Sequence, residues 1–147
     1  MGLWISTKTY THTAGLRCCY RRWRDQGIRN KLHGNALSIK LVFECHRLDD
    51  ADWIMPFDDL GHIEQWLREQ FHNTTCIAED DPALDAFRSL QAQGLIDLRV
   101  MTGTGPERFA EMTFHHVMSW LKDSQLITRV TIRSVECIET DGDSALY

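Results

Sequence analysis

With 147 residues, 43% hydrophobic, 10% aromatic and 25% charged, the chain holds enough apolar material for one core, expected as a single domain over 1–147, and lacks the low hydrophobicity of a disordered segment. A formal net charge of −5 argues against a dedicated nucleic-acid binder, which needs a dense basic surface. The five cysteines (Cys18, Cys19, Cys45, Cys76, Cys137) show no CxxC spacing, no signal-peptide pattern opens the chain, and no apolar run approaches the ~20 residues of a bilayer span; a reducing, cytoplasmic setting without a membrane partner is expected.

Residues 3–13 are rich in Trp, Ile, Thr and Tyr and read as a first strand. The run Arg17, Arg21, Arg22, Arg24, interleaved with Cys18, Cys19, Tyr20 and Trp23, can hold an anionic ligand or be a solvated turn or helix face. After a turn at Gly27, residues 32–45 predict one second strand, with His33 and Asn35 on the face shared by Leu37, Ile39, Leu41 and Phe43. Two polar groups at the end of an apolar face are a common way to build a site at a sheet's mouth. Asp49-Asp50-Ala51-Asp52 breaks that pattern. Residues 53–57 then lead into an amphipathic helix with Asp58 as N-cap and Leu60, Ile63, Leu67 and Phe71 as its apolar stripe.

Ala78-Glu79-Asp80-Asp81-Pro82 predicts a turn and the start of a short helix that runs to about Gln93 and is closed by Gly94, followed by an extended segment over 95–101. Thr104 and Glu107 have capping-box spacing at the head of a helix with Phe109, Met112, Val117, Trp120 and Leu121 on one side. Residues 126–139 alternate as a last strand, and 141–147 read as a short polar tail. The order gives an α+β protein in which two main helices cover one face of a four-stranded antiparallel sheet.

Several of these stretches together resemble the T-fold family of 6-pyruvoyl-tetrahydropterin synthases and, more closely, the bacterial 6-carboxytetrahydropterin synthases of 7-deazaguanine (queuosine) biosynthesis. The carriers are Leu32-His33-Gly34, Trp53-Ile54-Met55-Pro56-Phe57, Ala78-Glu79-Asp80-Asp81-Pro82, Glu107-Arg108-Phe109-Ala110-Glu111 and Ser134-Val135-Glu136, so the likeness spans nearly the whole chain. The resemblance implies trimeric barrels that often stack into hexamers, with ligand sites between subunits. It also implies a zinc ion on three histidines, a cysteine base tuned by an Asp-His pair, and a late-strand glutamate that anchors the pterin ring. Neutral imidazoles suit zinc, and an open fourth position lets the metal act as a Lewis acid.

Carried over position by position, much of that set is replaced. His12 stands for the first-strand histidine, although the family's placement is often two residues later, at Ala14. His33 matches the first histidine of His-Gly-His, and Asn35 replaces the second. Zinc is therefore a candidate cofactor with His12 and His33 as its metal ligands and no third. The cysteine falls at Arg29, whose guanidinium cannot act as a base. The Asp-His pair falls at His72-Asn73, and Pro56 occupies the position of an aspartate expected before Phe57.

Glu136 carries over as ring anchor, the other reading being a plain exposed strand residue, while Glu107 reads as a helix cap first and a ligand contact second. Losing one general base removes ~10²–10⁴ in rate, so the parent lyase reaction should be feeble or absent. Three functions follow from this set. The first is a divergent, inactive or altered member that binds a pterin, purine or related nucleotide at a subunit interface, with Glu136 as anchor and Arg29 as anion contact. The second is a working lyase on dihydroneopterin triphosphate with rebuilt catalytic groups drawn from His72, Asn73 and Arg29. The third is a structural or partner-binding homo-oligomer with a vestigial pocket.

Overall fold

The structure is a computed structural model that describes residues 2–147. In chain order its elements are β1 (Trp4–Tyr10), β2 (Arg17–Tyr20), β3 (His33–Ala36), β4 (Ser38–Cys45), α1 (Gly61–Phe71), β5 (His72–Ala78), α2 (Leu84–Ala92), β6 (Leu98–Met101), α3 (Pro106–Asp123), β7 (Val130–Ile138) and β8 (Ser144–Leu146). The expected α+β architecture is present, and its four-stranded antiparallel sheet has the order β1-β4-β7-β8. A second sheet, β3-β2-β5-β6, is antiparallel at β2/β3 and parallel at β2/β5 and β5/β6.

Strict alternation in β4 sends Ile39, Leu41, Phe43 and Cys45 into the core, and Ser38, Lys40, Val42 and Glu44 to the opposite face. On β7 the buried residues are Val130, Ile132, Val135 and Cys137, a spacing that slips by one. The slip is a bulge: Val42 pairs with Ser134 and Phe43 with Ile132, leaving Arg133 as the extra residue. Without it Val135 and Cys137 would turn away from the core. Against this face α3 sets Phe109, Thr113, Val117 and Leu121, all fully buried, and α1 sets Ile63, Leu67 and Phe71. The Phe71 and Phe109 rings meet edge on at 5.0 Å, and burying one such side chain stabilises the fold by roughly 1.5–3 kcal/mol. A smaller cluster of Ile77, Phe87 and Leu98 seats α2 against β5 and β6.

Six local expectations are corrected. The second strand is two strands, because at fully buried Leu37 the chain passes from one sheet to the other; its N–H donates to the Leu16 carbonyl at 2.8 Å. His33 and Asn35 therefore do not share a face with the β4 core residues, since β3 pairs with β2 at Tyr20 and Cys18. The arginine-rich segment begins as β2, a strand held between β3 and β5. The helix expected to be capped by Asp58 starts as a 3-10 turn at Phe57 with no side-chain cap. The Thr104/Glu107 capping box does not form: the cap position is Gly105, and the Thr104 hydroxyl donates instead to the Arg21 carbonyl at 2.7 Å. The polar tail contains β8, which pairs with β7.

Candidate functional site

The site forms where the ends of both sheets meet. β7 continues into a tight turn in which the Glu139 N–H donates to the Asp143 carbonyl at 2.8 Å and the Gly142 N–H to the Glu139 carbonyl at 2.9 Å. Gly142 takes φ +87 there, a left-handed conformation that suits glycine. The Thr140 hydroxyl bridges to β3, accepting from the Ala36 N–H at 2.8 Å and donating to the Ala36 carbonyl at 3.1 Å. This pairing places the turn beside His33-Gly34-Asn35. Between them lies a cavity of about 400 Å³ lined by Tyr20, Arg22, Ile28, Arg29, His33, Gly34, Asn35, Glu139, Thr140, Asp141 and Asp143.

Glu139 is its half-buried carboxylate. The Tyr20 hydroxyl donates to Glu139 Oε1, and the Tyr20 ring stands edge on to Phe109 at 5.1 Å. Burial first, and then the hydrogen bond and charge of Glu139, push the Tyr20 hydroxyl well above its ordinary pKa, so it stays a donor. The other Glu139 oxygen has no partner among the described side chains. A carboxylate fixed this way accepts adjacent N–H donors of a flat heterocycle, a charge-assisted arrangement stronger than neutral hydrogen bonds. Arg22 and Arg29 bring two guanidiniums to the same cavity, against the carboxylates of Glu139, Asp141 and Asp143.

Of the residues singled out in the sequence, Arg29, His33 and Asn35 reach this cavity, joined by Tyr20 and Arg22 of the basic and aromatic run. Glu136 lies elsewhere: it pairs across the sheet with Lys40 and its Oε2 accepts from Ser144 at 3.1 Å. The face of β7 that carries Val135 and Cys137 leads on to Glu139, while Glu136 points to the opposite side. That signal was present in the sequence, a polar tip closing an apolar face, but the bulge at Arg133 hid the phase. Tyr20 was named within the basic and aromatic run, but its partnership with Glu139 was hidden because β2 was not recognised as a strand.

Glu107 sits in the first turn of α3 and accepts from Arg22 Nη2 at 3.0 Å, so it touches the cavity only through Arg22. Burial raises the Glu107 carboxyl, but its own backbone N–H and the Arg22 guanidinium outweigh this and leave it below its ordinary value. His72 Nδ1 hydrogen-bonds the Gly15 carbonyl at 2.6 Å, outside the cavity. Asn73 lines a neighbouring cleft of about 440 Å³ with Cys19, Asn35 and Thr75, in which Cys19 Sγ lies 3.2 Å from the Thr75 hydroxyl.

The zinc implied by the resemblance needs three imidazoles or equivalents. His12 falls in an exposed 3-10 turn after β1, and His33 is the one imidazole at the cavity, its Nδ1 held by the Lys31 carbonyl at 2.8 Å. Among the described residues no three His, Cys, Asp or Glu side chains gather as a metal-holding group. This donor set does not fit a tetrahedral zinc site.

No helix of the structure is long and apolar enough to cross a membrane. The backbone is similar to an uncharacterised protein of Wolinella succinogenes, with TM-score 0.83 and 15% identity over 100% of this chain and 98% of that one. It is also similar to 6-pyruvoyltetrahydropterin synthase of Plasmodium vivax, with TM-score 0.66 and 12% identity over 98% of this chain and 97% of that one. The Plasmodium falciparum enzyme gives TM-score 0.65 and 12% identity over 97% and 96%. At these identities the likeness fixes the T-fold alone. The family model for 6-pyruvoyl tetrahydropterin synthase matches residues 9–147, and the chain belongs to that family.

Proposed function

We propose that this protein binds a pterin, purine or related nucleotide in the cavity bounded by β3 and the β7–β8 turn, with Glu139 as the ring anchor, and that the parent lyase reaction is lost or altered in it. The observation that carries the reading is the Glu139 carboxylate, held by the Tyr20 hydroxyl at the wall of a cavity of about 400 Å³. Guanine-like and pterin-like rings present adjacent N–H donors, and one carboxylate satisfies two of them at once. Arg29 supplies a fixed positive charge where the family's resemblance leads one to expect a cysteine, so the pocket is suited to holding a ligand and poorly equipped to move its protons. Assembly into a trimer-based homo-oligomer is part of the proposal. It is supported by β1 and β8, which stand at the two ends of the antiparallel sheet where a second copy can pair.

The test is calorimetric titration of pterin and of guanine into the protein and into Glu139→Ala and Glu136→Ala. A hydrogen-bonded charged group contributes about 1.5–3 kcal/mol, so Glu139→Ala weakens binding by at least about tenfold while Glu136→Ala leaves it within about twofold. Equal loss in both variants, or loss only in Glu136→Ala, contradicts the assignment.

A further inference from the structure

The helices α1 and α3 meet at two ring contacts. One is Phe71 against Phe109, fully buried. In the other, the half-buried His116 imidazole of α3 stacks face to face on the half-buried Trp66 indole of α1, their centroids 3.9 Å apart and their planes 6° from parallel. The His62 imidazole, one turn before Trp66 on α1, lies 6.1 Å from His116 at 26°.

The stack closes over one nitrogen. His116 Nε2 is shut off from water without a hydrogen-bond partner, and among the described residues it is the only buried side-chain nitrogen or oxygen left so. A neutral imidazole tolerates this, because one of its two nitrogens is an acceptor with no N–H to satisfy. An imidazolium carries an N–H on both, and a buried charged donor left unmatched costs more than a buried neutral acceptor. An indole face attracts a cation, but with the planes 6° from parallel the imidazole N–H bonds run alongside the indole and find no acceptor in it.

The surroundings act in the same direction. Two titratable groups act on His116, both from α1: His62 and Glu69. The Glu69 carboxylate accepts from Gln65 Nε2 at 3.3 Å and makes no bond to His116. On α3 itself, His115 turns to the Tyr147 hydroxyl, 3.4 Å from its Nε2. Towards the sheet α3 presents Thr113 and Val117, both fully buried and uncharged. Burial first, and then His62, outweigh Glu69 and hold the His116 imidazole below its ordinary pKa.

We infer that the His116–Trp66 stack is a proton-sensitive latch between α1 and α3, closed while His116 is neutral and released when the ring takes up a proton. Because the folded pKa of His116 is depressed, the closed contact is fully stable above the unfolded value of about 6.5 and weakens as pH falls from there through the lower folded value. The element that yields is α1, which buries three side chains where α3 buries six. None of the latch residues lines the Glu139 cavity, so the latch stands apart from the ring-binding proposal.

The experiment is amide hydrogen exchange of the full chain, read by mass spectrometry at about pH 7.5 and about pH 5.5, either side of the histidine value, and corrected for the intrinsic pH dependence of exchange. Peptides from α1 lose protection several-fold at the lower pH, while those from α2, seated on its own cluster of Ile77, Phe87 and Leu98, do not. In His116→Phe, which keeps a ring on Trp66 without a titrating nitrogen, α1 is equally protected at both pH values. His62→Gln, at an exposed position where the variant folds, removes the like charge and moves the onset of the loss to higher pH. Equal protection of α1 at both pH values in the native sequence, a loss shared by α2, or a loss that persists in His116→Phe overturns the latch. Should His116→Phe fail to fold, an onset unmoved in His62→Gln overturns it.

Discussion

At the scale of single residues, the pocket depends on a small number of side chains whose neighbours fix their chemistry. Tyr20 is 5% exposed and its hydroxyl is the donor that orients Glu139. Tyr20→Phe keeps the ring against Phe109 but leaves a half-buried carboxylate oxygen unpaired, and is expected to lower stability by about 1–2 kcal/mol and to weaken pterin binding. Chemical denaturation and calorimetry on the same variant check both effects. His33 and Asn35 were legible as site residues because they flank a glycine at a strand mouth, and Arg29 because the resemblance expects a cysteine at its position; the structure brings all three to one cavity. Glu139 was not, because a residue's face can be read from period-two alternation only while the alternation is unbroken. Val130 and Ile132 set one phase, Arg133 bulges out, and Val135 and Cys137 set the other.

At the scale of elements, the long helices and the main strands were legible, since α1, α3, β4 and β7 carry regular apolar spacing. The short strands were not. β2 reads as part of a basic turn or helix face because Arg17, Cys18 and Cys19 carry no strand signal on their own, and it becomes a strand through pairing with β3 and β5. β5 is buried over Thr74 to Ala78 and follows α1 directly, with no intervening turn residues and no alternation to separate it from the helix. β8 is three residues long and exists through its ladder with β7. The joint between the two sheets rests on the Ala36 backbone and the Thr140 hydroxyl. Thr140→Val removes both of those hydrogen bonds and is expected to cost about 1 kcal/mol, their exposure lowering the value from the usual ~0.5–1.5 each. It also frees one cavity wall, so ligand affinity falls several-fold, which titration of pterin into the variant measures.

At the scale of the whole molecule, one buried ion pair ties the segment that carries Arg22 and Arg29 to the rest of the fold. Arg21 grips Asp81 through Nε at 2.8 Å and Nη2 at 2.7 Å, with the Asp81 side chain 1% exposed. Asp81 also accepts from the Ala83 N–H at 2.8 Å, and Arg21 Nη1 reaches back to the Asn30 carbonyl at 3.0 Å. The Arg21 guanidinium, working against burial, holds the Asp81 carboxyl below the usual carboxylate range. Its folded pKa being depressed, the stability it contributes is full above the unfolded value of about 3.9 and is lost as pH falls through the lower folded value. Asp81→Asn, which leaves Arg21 without its counter-charge, is expected to cost about 3 kcal/mol at pH 7. Its stability should then fall less steeply than that of the native sequence below about pH 4, as urea titrations across that range will record.

The central claim, that the family's pocket survives here as a ring-binding site anchored by Glu139, is tested most directly by a crystal structure of the protein grown with pterin. The account predicts the ring in the cavity between β3 and the β7–β8 turn, with two of its nitrogens about 2.9 Å from the Glu139 oxygens. A ring seated against Glu136, or a cavity filled only by water at saturating pterin, would contradict it.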